Sequence, residues 1–215
     1  MDEDLVAINE SLKKQKIINF YKKNKKKIYL FICAILILIF GIYFYSEKKN
    51  EDKKVLADNY IQAKQLIKDN QNEKAKNILK GIILKNDKTY SSLSLFLLLD
   101  SSIDLGNLEI IKYFDHIISK NSKLEAEEKN LLIYKKAIFI SDFSNESLIL
   151  QTLNPLINSK SVWSSNSLVL LGDYFLNKGD LIKSKEFYEK AISSEYINKD
   201  VLEKAKNKLK VLVSG

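Results

Sequence analysis

The chain has 215 residues, 46% apolar and 10% aromatic, enough for one packed domain beside a membrane segment. Six Gly and one Pro are too few for the turns of a β-sandwich or barrel, so long helices joined by short polar turns are predicted. The net charge is +8 and all 35 basic residues are Lys, which argues against a specific nucleic-acid binder, since Arg is the usual bidentate reader of phosphate and guanine.

Residues 1–27 carry eight Lys and four acids, a basic leader. Leu5, Ile8, Leu12, Ile17, Phe20 and Tyr21 recur at roughly helical spacing among the lysines. Two readings stand: an amphipathic helix on an anionic membrane surface, or a frayed leader that only sets topology.

Residues 28–45 form an uncharged, proline-free run of 18 residues. As a helix it spans about 27 Å, the thickness of a bilayer core. Twelve of its residues are Ile, Leu or Phe. Together they favour insertion by about 4–7 kcal/mol. Tyr29, Tyr43 and Tyr45 suit the two interfaces, and Lys25, Lys26 and Lys27 can snorkel from the edge. A cleaved signal peptide needs a shorter run and a small-x-small site; here Tyr43, Phe44, Tyr45, Ser46 and Glu47 follow instead. Cys33, the one Cys, lies near the start of the run behind the bulky Ile32, which does not suit a lipidation site, and it has no partner for a disulfide.

Residues 13–27 hold eight Lys against four in residues 46–60. The positive-inside rule then predicts a cytoplasmic N-terminus, a single-pass anchor in a bacterial inner membrane, and a periplasmic C-terminal domain. Residues 46–54 are wholly polar, either a stalk or a continuation of the membrane helix.

From 55 to 213 the apolar pattern has helical period. It predicts helix pairs at 55–69/72–85, 90–104/107–119, 125–140/146–158 and 163–177/180–194, then a capping helix at 198–213. The first helices start 35, 35 and 38 residues apart, a spacing that marks tetratricopeptide-type helix-turn-helix repeats. The predicted fold is therefore all-α: one membrane helix followed by a tetratricopeptide-like solenoid.

The fourth pair carries the motif most fully. Small residues Gly172, Ser184 and Ala191 allow close helix approach, while Leu171, Phe175 and Tyr188 fill the space between neighbours. Gly179 suits a helix end with positive φ, and Asp180 suits an N-cap. The first pair keeps Ala63, Leu66, Asn70, Ala75 and Leu79 at matching offsets, and the second keeps only the turn Leu105-Gly106-Asn107. In the third, Pro155 predicts a break at Asn154, with Asn154 capping a new turn. Stacked pairs leave one concave face, and on it Asn166, Asp173 and Asn177 are candidates for partner binding; plain solvation of the three is the other reading.

Chemistry-bearing patterns are sparse. His116 is the one His, without a second His or a nearby Cys to complete a common metal site. No G-x-S-x-G elbow, phosphate loop or dinucleotide fingerprint occurs. Glu125, Glu127 and Glu128 are explained by a helix start, and Trp163 by packing. A non-catalytic protein with no cofactor, metal or small-molecule substrate is predicted.

The order of parts resembles the YfgM-type ancillary subunit of the SecYEG translocon, a family of tetratricopeptide-like inner-membrane proteins. The likeness is carried by the leader from Leu5 to Lys16 and from Phe20 to Lys25, the single span, and the late stretch Leu153 to Leu156, Trp163, Leu171-Gly172, Gly179-Asp180 and Phe187. The lack of Arg and the degenerate second repeat depart from it. The resemblance implies a domain beside the translocon, in contact with exported chains and with a periplasmic chaperone or prolyl isomerase. The residues by themselves support a tethered repeat module, and an adaptor for another envelope assembly has the same parts.

Overall fold

Helical backbone runs without interruption from Asp2 to Lys68 in a computed structural model of the chain, which describes residues 2–101, 103, 105–121 and 124–214. The leader stripe of Leu5, Ile8, Leu12, Ile17 and Tyr21 lies outside the described side chains. Among the described residues the elements are all α-helices: α1 (Asp2–Lys68), α2 (Asn72–Ile83), α3 (Tyr90–Asp100), α4 (Asn107–Lys120), α5 (Ala126–Ser141), α6 (Glu146–Ile157), α7 (Val162–Asn177), α8 (Leu181–Ile192) and α9 (Lys199–Ser214). The fold is all-α, as predicted.

The chain divides into two units, Met1–Val55 and Leu56–Gly215. In the first, every side chain from 33 to 50 is exposed, the apolar ones included. Among the described residues α1 is the one helix long and apolar enough to cross a membrane, and none of its apolar stretch is buried. The polar residues 46–54 are helical and belong to α1.

The second unit is a row of antiparallel helix pairs. The end of α1 shares a buried core with α2 through Ala63, Ala75 and Leu79, and α3 packs with α4, α5 with α6, and α7 with α8. The first helices α3, α5, α7 and α9 begin at Tyr90, Ala126, Val162 and Lys199, a period of about 36 residues. Each pair buries a stripe at three- and four-residue spacing, as Ala75, Leu79, Ile82 and Ile83 do on α2. One core joins these to Ala63, Leu95, Leu98, Phe114 and Leu132. A second gathers Ala137, Ile140, Ile149, Leu153, Leu156, Leu171 and Phe175. The third, under α9, holds Leu168, Val169, Tyr188, Ala191 and Ala205.

Turn chemistry repeats with the helices. Asn70 (φ 59°) and Gly179 (φ 77°) both take the left-handed conformation. Behind them the Gln71 N–H donates to the Leu66 carbonyl at 2.8 Å and the Asp180 N–H to the Phe175 carbonyl at 2.9 Å. This closure satisfies carbonyls that the helix end would otherwise orphan. Helix starts are capped by Asn145, Ser161 and Asp180 side chains. Glu128 accepts from the Glu125 N–H at 2.9 Å, so the acidic cluster does sit at a helix start.

Pro155 corrects one expectation. α6 continues through it to Ile157, and Asn154 caps nothing. Pro155 lies in the last turn with Gln151 on the exposed side of the helix, where water can serve the carbonyl that loses its donor. Leu153 and Leu156 are fully buried on the other side and hold the turn in place. The Asn154 carbonyl and side-chain oxygen instead both accept from the Asn158 amide at 3.1 Å.

Successive pairs are also joined by ion pairs. Lys80 reaches Glu109 at 2.6 Å, Lys88 reaches Glu125 at 2.7 Å, and Lys136 reaches Asp115 at 2.6 Å. Lys183 reaches Glu146 at 2.8 Å, and Lys208 reaches Asp173 at 2.6 Å. Exposed pairs of this kind contribute at most about 1 kcal/mol each, so the apolar cores carry the stability and the ion pairs favour one register.

Candidate interaction site

The close approach of α7 and α8 organises the last third of the domain. Gly172 faces the ring of Tyr188, and a Cβ added there would collide with that ring. Ser184, also buried, donates its hydroxyl to the Gly172 carbonyl at 2.8 Å. Leu171, Tyr188 and Ala191 are fully buried, and Phe175 stacks on Phe187 with centroids 5.4 Å apart. Gly179 is exposed in the turn. The residues singled out for packing in the fourth repeat thus meet in one helix pair.

The three candidate binding positions lie on α7 and differ in their surroundings. Asn177 is exposed. Asn166 is half-buried and donates its amide to the Val162 carbonyl at 2.8 Å. Asp173 is taken up within the domain. It accepts from the Tyr188 hydroxyl at 2.5 Å and from Lys208 at 2.6 Å, and Lys204 stands 3.8 Å away. Burial first, then the hydrogen bond to Asp173, pushes the Tyr188 phenol well above the usual tyrosine range. Burial and the Asp173 charge also raise Tyr134 on α5. One carboxylate therefore ties α7 to α8 and α9 and is felt on α5.

Buried serines on α7 add a second set of ties. Ser164 donates to the Ile157 carbonyl at 3.1 Å and Ser165 to the Tyr196 carbonyl at 3.3 Å, fastening the flanking turns to α7. Their sequence signal is a run of small residues, Ser164, Ser165 and Ser167, all buried on α7. Trp163 stands against Tyr134 with centroids 5.3 Å apart and packs on the second core. His116 is half-buried on α4. Among the described residues no cluster of His, Cys, Asp and Glu is placed to hold a metal ion.

Beside this hub an apolar groove of about 430 Å³ opens between the α7–α8 turn and α9. Leu176, Leu181, Val211 and Leu212 line it, with Asn207 and Lys208 as its polar members. Leu181 is 54% exposed and its neighbour Ile182 83%. Isolated exposed aliphatics are ordinary; a lined concavity on a helical-repeat surface is a place where a protein segment can dock.

A family model described as a tetratricopeptide repeat-like domain matches residues 18–212. No curated protein and no solved structure matches the chain. The family match starts ahead of the apolar run and extends into α9, taking in the even helix pairs and the Gly172–Tyr188 approach; the chain belongs to the tetratricopeptide repeat-like domain family.

Proposed function

We propose that this chain is a membrane-tethered, non-catalytic scaffold that binds other proteins through its repeat domain. The carrying observation is the union, within one family match, of a fully exposed apolar helix segment and a row of stacked helix pairs. An apolar surface of that size is costly in water and fits a bilayer. Helical repeats present extended surfaces suited to protein partners.

In this reading residues 28–45 cross a bacterial inner membrane, residues 1–27 remain in the cytoplasm, and residues 46–54 lead into a periplasmic domain from 55 to 213. The lysine excess before the span supports that orientation. The layout shared with the YfgM-type family supports a place beside the SecYEG translocon, where the domain assists exported chains together with a periplasmic chaperone or prolyl isomerase. Asn166 and Asn177 are the partner-facing positions on α7, with Asp173 holding the neighbouring helices behind them.

Two measurements test this. Protease added to sealed inner-membrane vesicles of known sidedness is expected to cut the repeat domain only from the periplasmic side; cutting from the cytoplasmic side reverses the topology. A photocrosslinker at Asn177 in native membranes is expected to recover SecYEG components. Recovery of a different envelope assembly, or of none, removes the translocon association.

A further inference from the structure

The first helices α7 and α9 are equivalent by position. Counted from their starts, Leu212 on α9 stands where Phe175 stands on α7, and Val211 where Tyr174 stands. On α7 the second helix of the pair covers this place, with Phe187 of α8 stacked flat on Phe175. On α9 the same place is the groove lined by Leu176, Leu181, Val211 and Leu212. The groove therefore has the register of a second-helix site. Its aliphatic lining matches the i, i+3, i+4 face of an amphipathic helix.

The wall formed by α9 has a definite electrostatic sign. α9 carries five Lys, at 199, 204, 206, 208 and 210, against Asp200 and Glu203. Lys208 itself lines the groove. Asp173 on α7 already faces Lys208 and Lys204, and Asp180 adjoins the lining residue Leu181. A helix lying in the groove thus meets an apolar floor and a lysine-rich edge.

Building on the protein-binding reading above, we propose that the groove between the α7–α8 turn and α9 docks an amphipathic helix of a partner protein whose polar face is acidic. The partner helix completes the last pair as α8 completes α7. Leu and Ile on its buried face replace the missing contacts over Leu176 and Leu212, and its carboxylates lie along α9. Complementary charge selects against basic amphipathic helices, which the α9 edge repels.

The test uses the full chain in detergent micelles and two synthetic 18-residue amphipathic helices with the same Leu face, one with Glu and one with Lys on the polar face. Binding is read by fluorescence anisotropy of the labelled peptide. The acidic helix is expected to bind saturably, at least tenfold tighter than the basic one, and to weaken as salt rises. Leu181→Asp and Val211→Asp replace exposed residues, so the domain should still fold, which circular dichroism checks; each is expected to weaken the acidic helix at least tenfold. Leu108→Asp, at a 75% exposed position on α4 away from the groove, is expected to leave it unchanged. Equal affinity for the two helices overturns the proposal, as does indifference to both groove variants. A second copy of the chain as occupant also overturns it, and shows as a micelle-corrected dimer abolished by Val211→Asp. Failure to crosslink SecYEG with intact peptide binding would remove the translocon association and leave the groove assignment standing.

Discussion

In the α7–α8 pair Gly172 lies against the buried Tyr188 ring with no room for a Cβ, whereas at the α3–α4 turn Gly106 has open space around that position. The fourth pair is closed by a Ser184 hydrogen bond across the helices, a Phe175–Phe187 stack, a positive-φ Gly179 and the Asp180 cap. The start of α4 has Gly106 as N-cap with no side-chain hydrogen bond, and the second pair joins the first in a mostly aliphatic core. Two members of one repeat row thus reach the same architecture by different means. Where one glycine allows helices to touch, identity matters at each position; where Leu and Ile fill a wider gap, many side chains of similar volume will do. The sequence motif persists in the pair whose geometry needs it.

Substitutions can break this comparison, with urea unfolding of the full chain followed through Trp163, the one tryptophan, as the measurement. The largest effect is expected for Tyr188→Ala, a loss of about 3–5 kcal/mol from a fully buried ring. A smaller loss there than for a Leu98→Ala change in α3 would mean the fourth pair is not the tighter one. Gly172→Ala is expected to destabilise by about 1–2 kcal/mol net, because overpacking against Tyr188 outweighs the better helix propensity of Ala. A stabilising Gly172→Ala would show that the ring can move aside. Gly179→Ala, at φ 77°, should lose about 1 kcal/mol in strain.

Alkaline pH sharpens the same contrast. In the fold Tyr188 is raised above its ordinary 10.0 and Tyr113 on α4 is pushed up to about 12, both by burial first and a carboxylate second. Their contribution to stability is complete below about pH 10 and declines as pH rises toward the folded values. Tyr188→Phe should flatten that decline at the Trp163 probe, and Tyr113→Phe should act on the second pair. The smallest effect is expected for Gly106→Ala, within about 0.5 kcal/mol of the parent.

The helical periods, the glycine turn at 179, the capping acids and the small-residue positions of the fourth pair were legible in the sequence because they are local. A helix or a turn is specified by residues three to five apart. Continuation through Pro155 was not, since tolerance there depends on Gln151 facing solvent while Leu153 and Leu156 are buried. Nor was the occupation of Asp173, whose partners Tyr188 and Lys208 are brought to it only by the stacking of α8 and α9. The polar stretch 46–54 reads as a stalk or as a continued helix, and its backbone is helical within α1. The groove required three helices to be placed before its four aliphatic walls could be seen together.

The lysine joints between repeats have a chemical consequence. Among the described residues, the cations that bridge one pair to the next are all primary amines, among them Lys80, Lys88, Lys136, Lys183, Lys204 and Lys208. An acylating reagent consumes such amines in proportion to their accessibility, and Lys136, with only 13% of its side chain exposed, should react late while Lys190, at 53%, reacts early. The order of labelling along the chain would read out which joints are closed under given conditions. With no guanidinium to keep a residual positive charge, complete acylation would turn this basic protein into an acidic one.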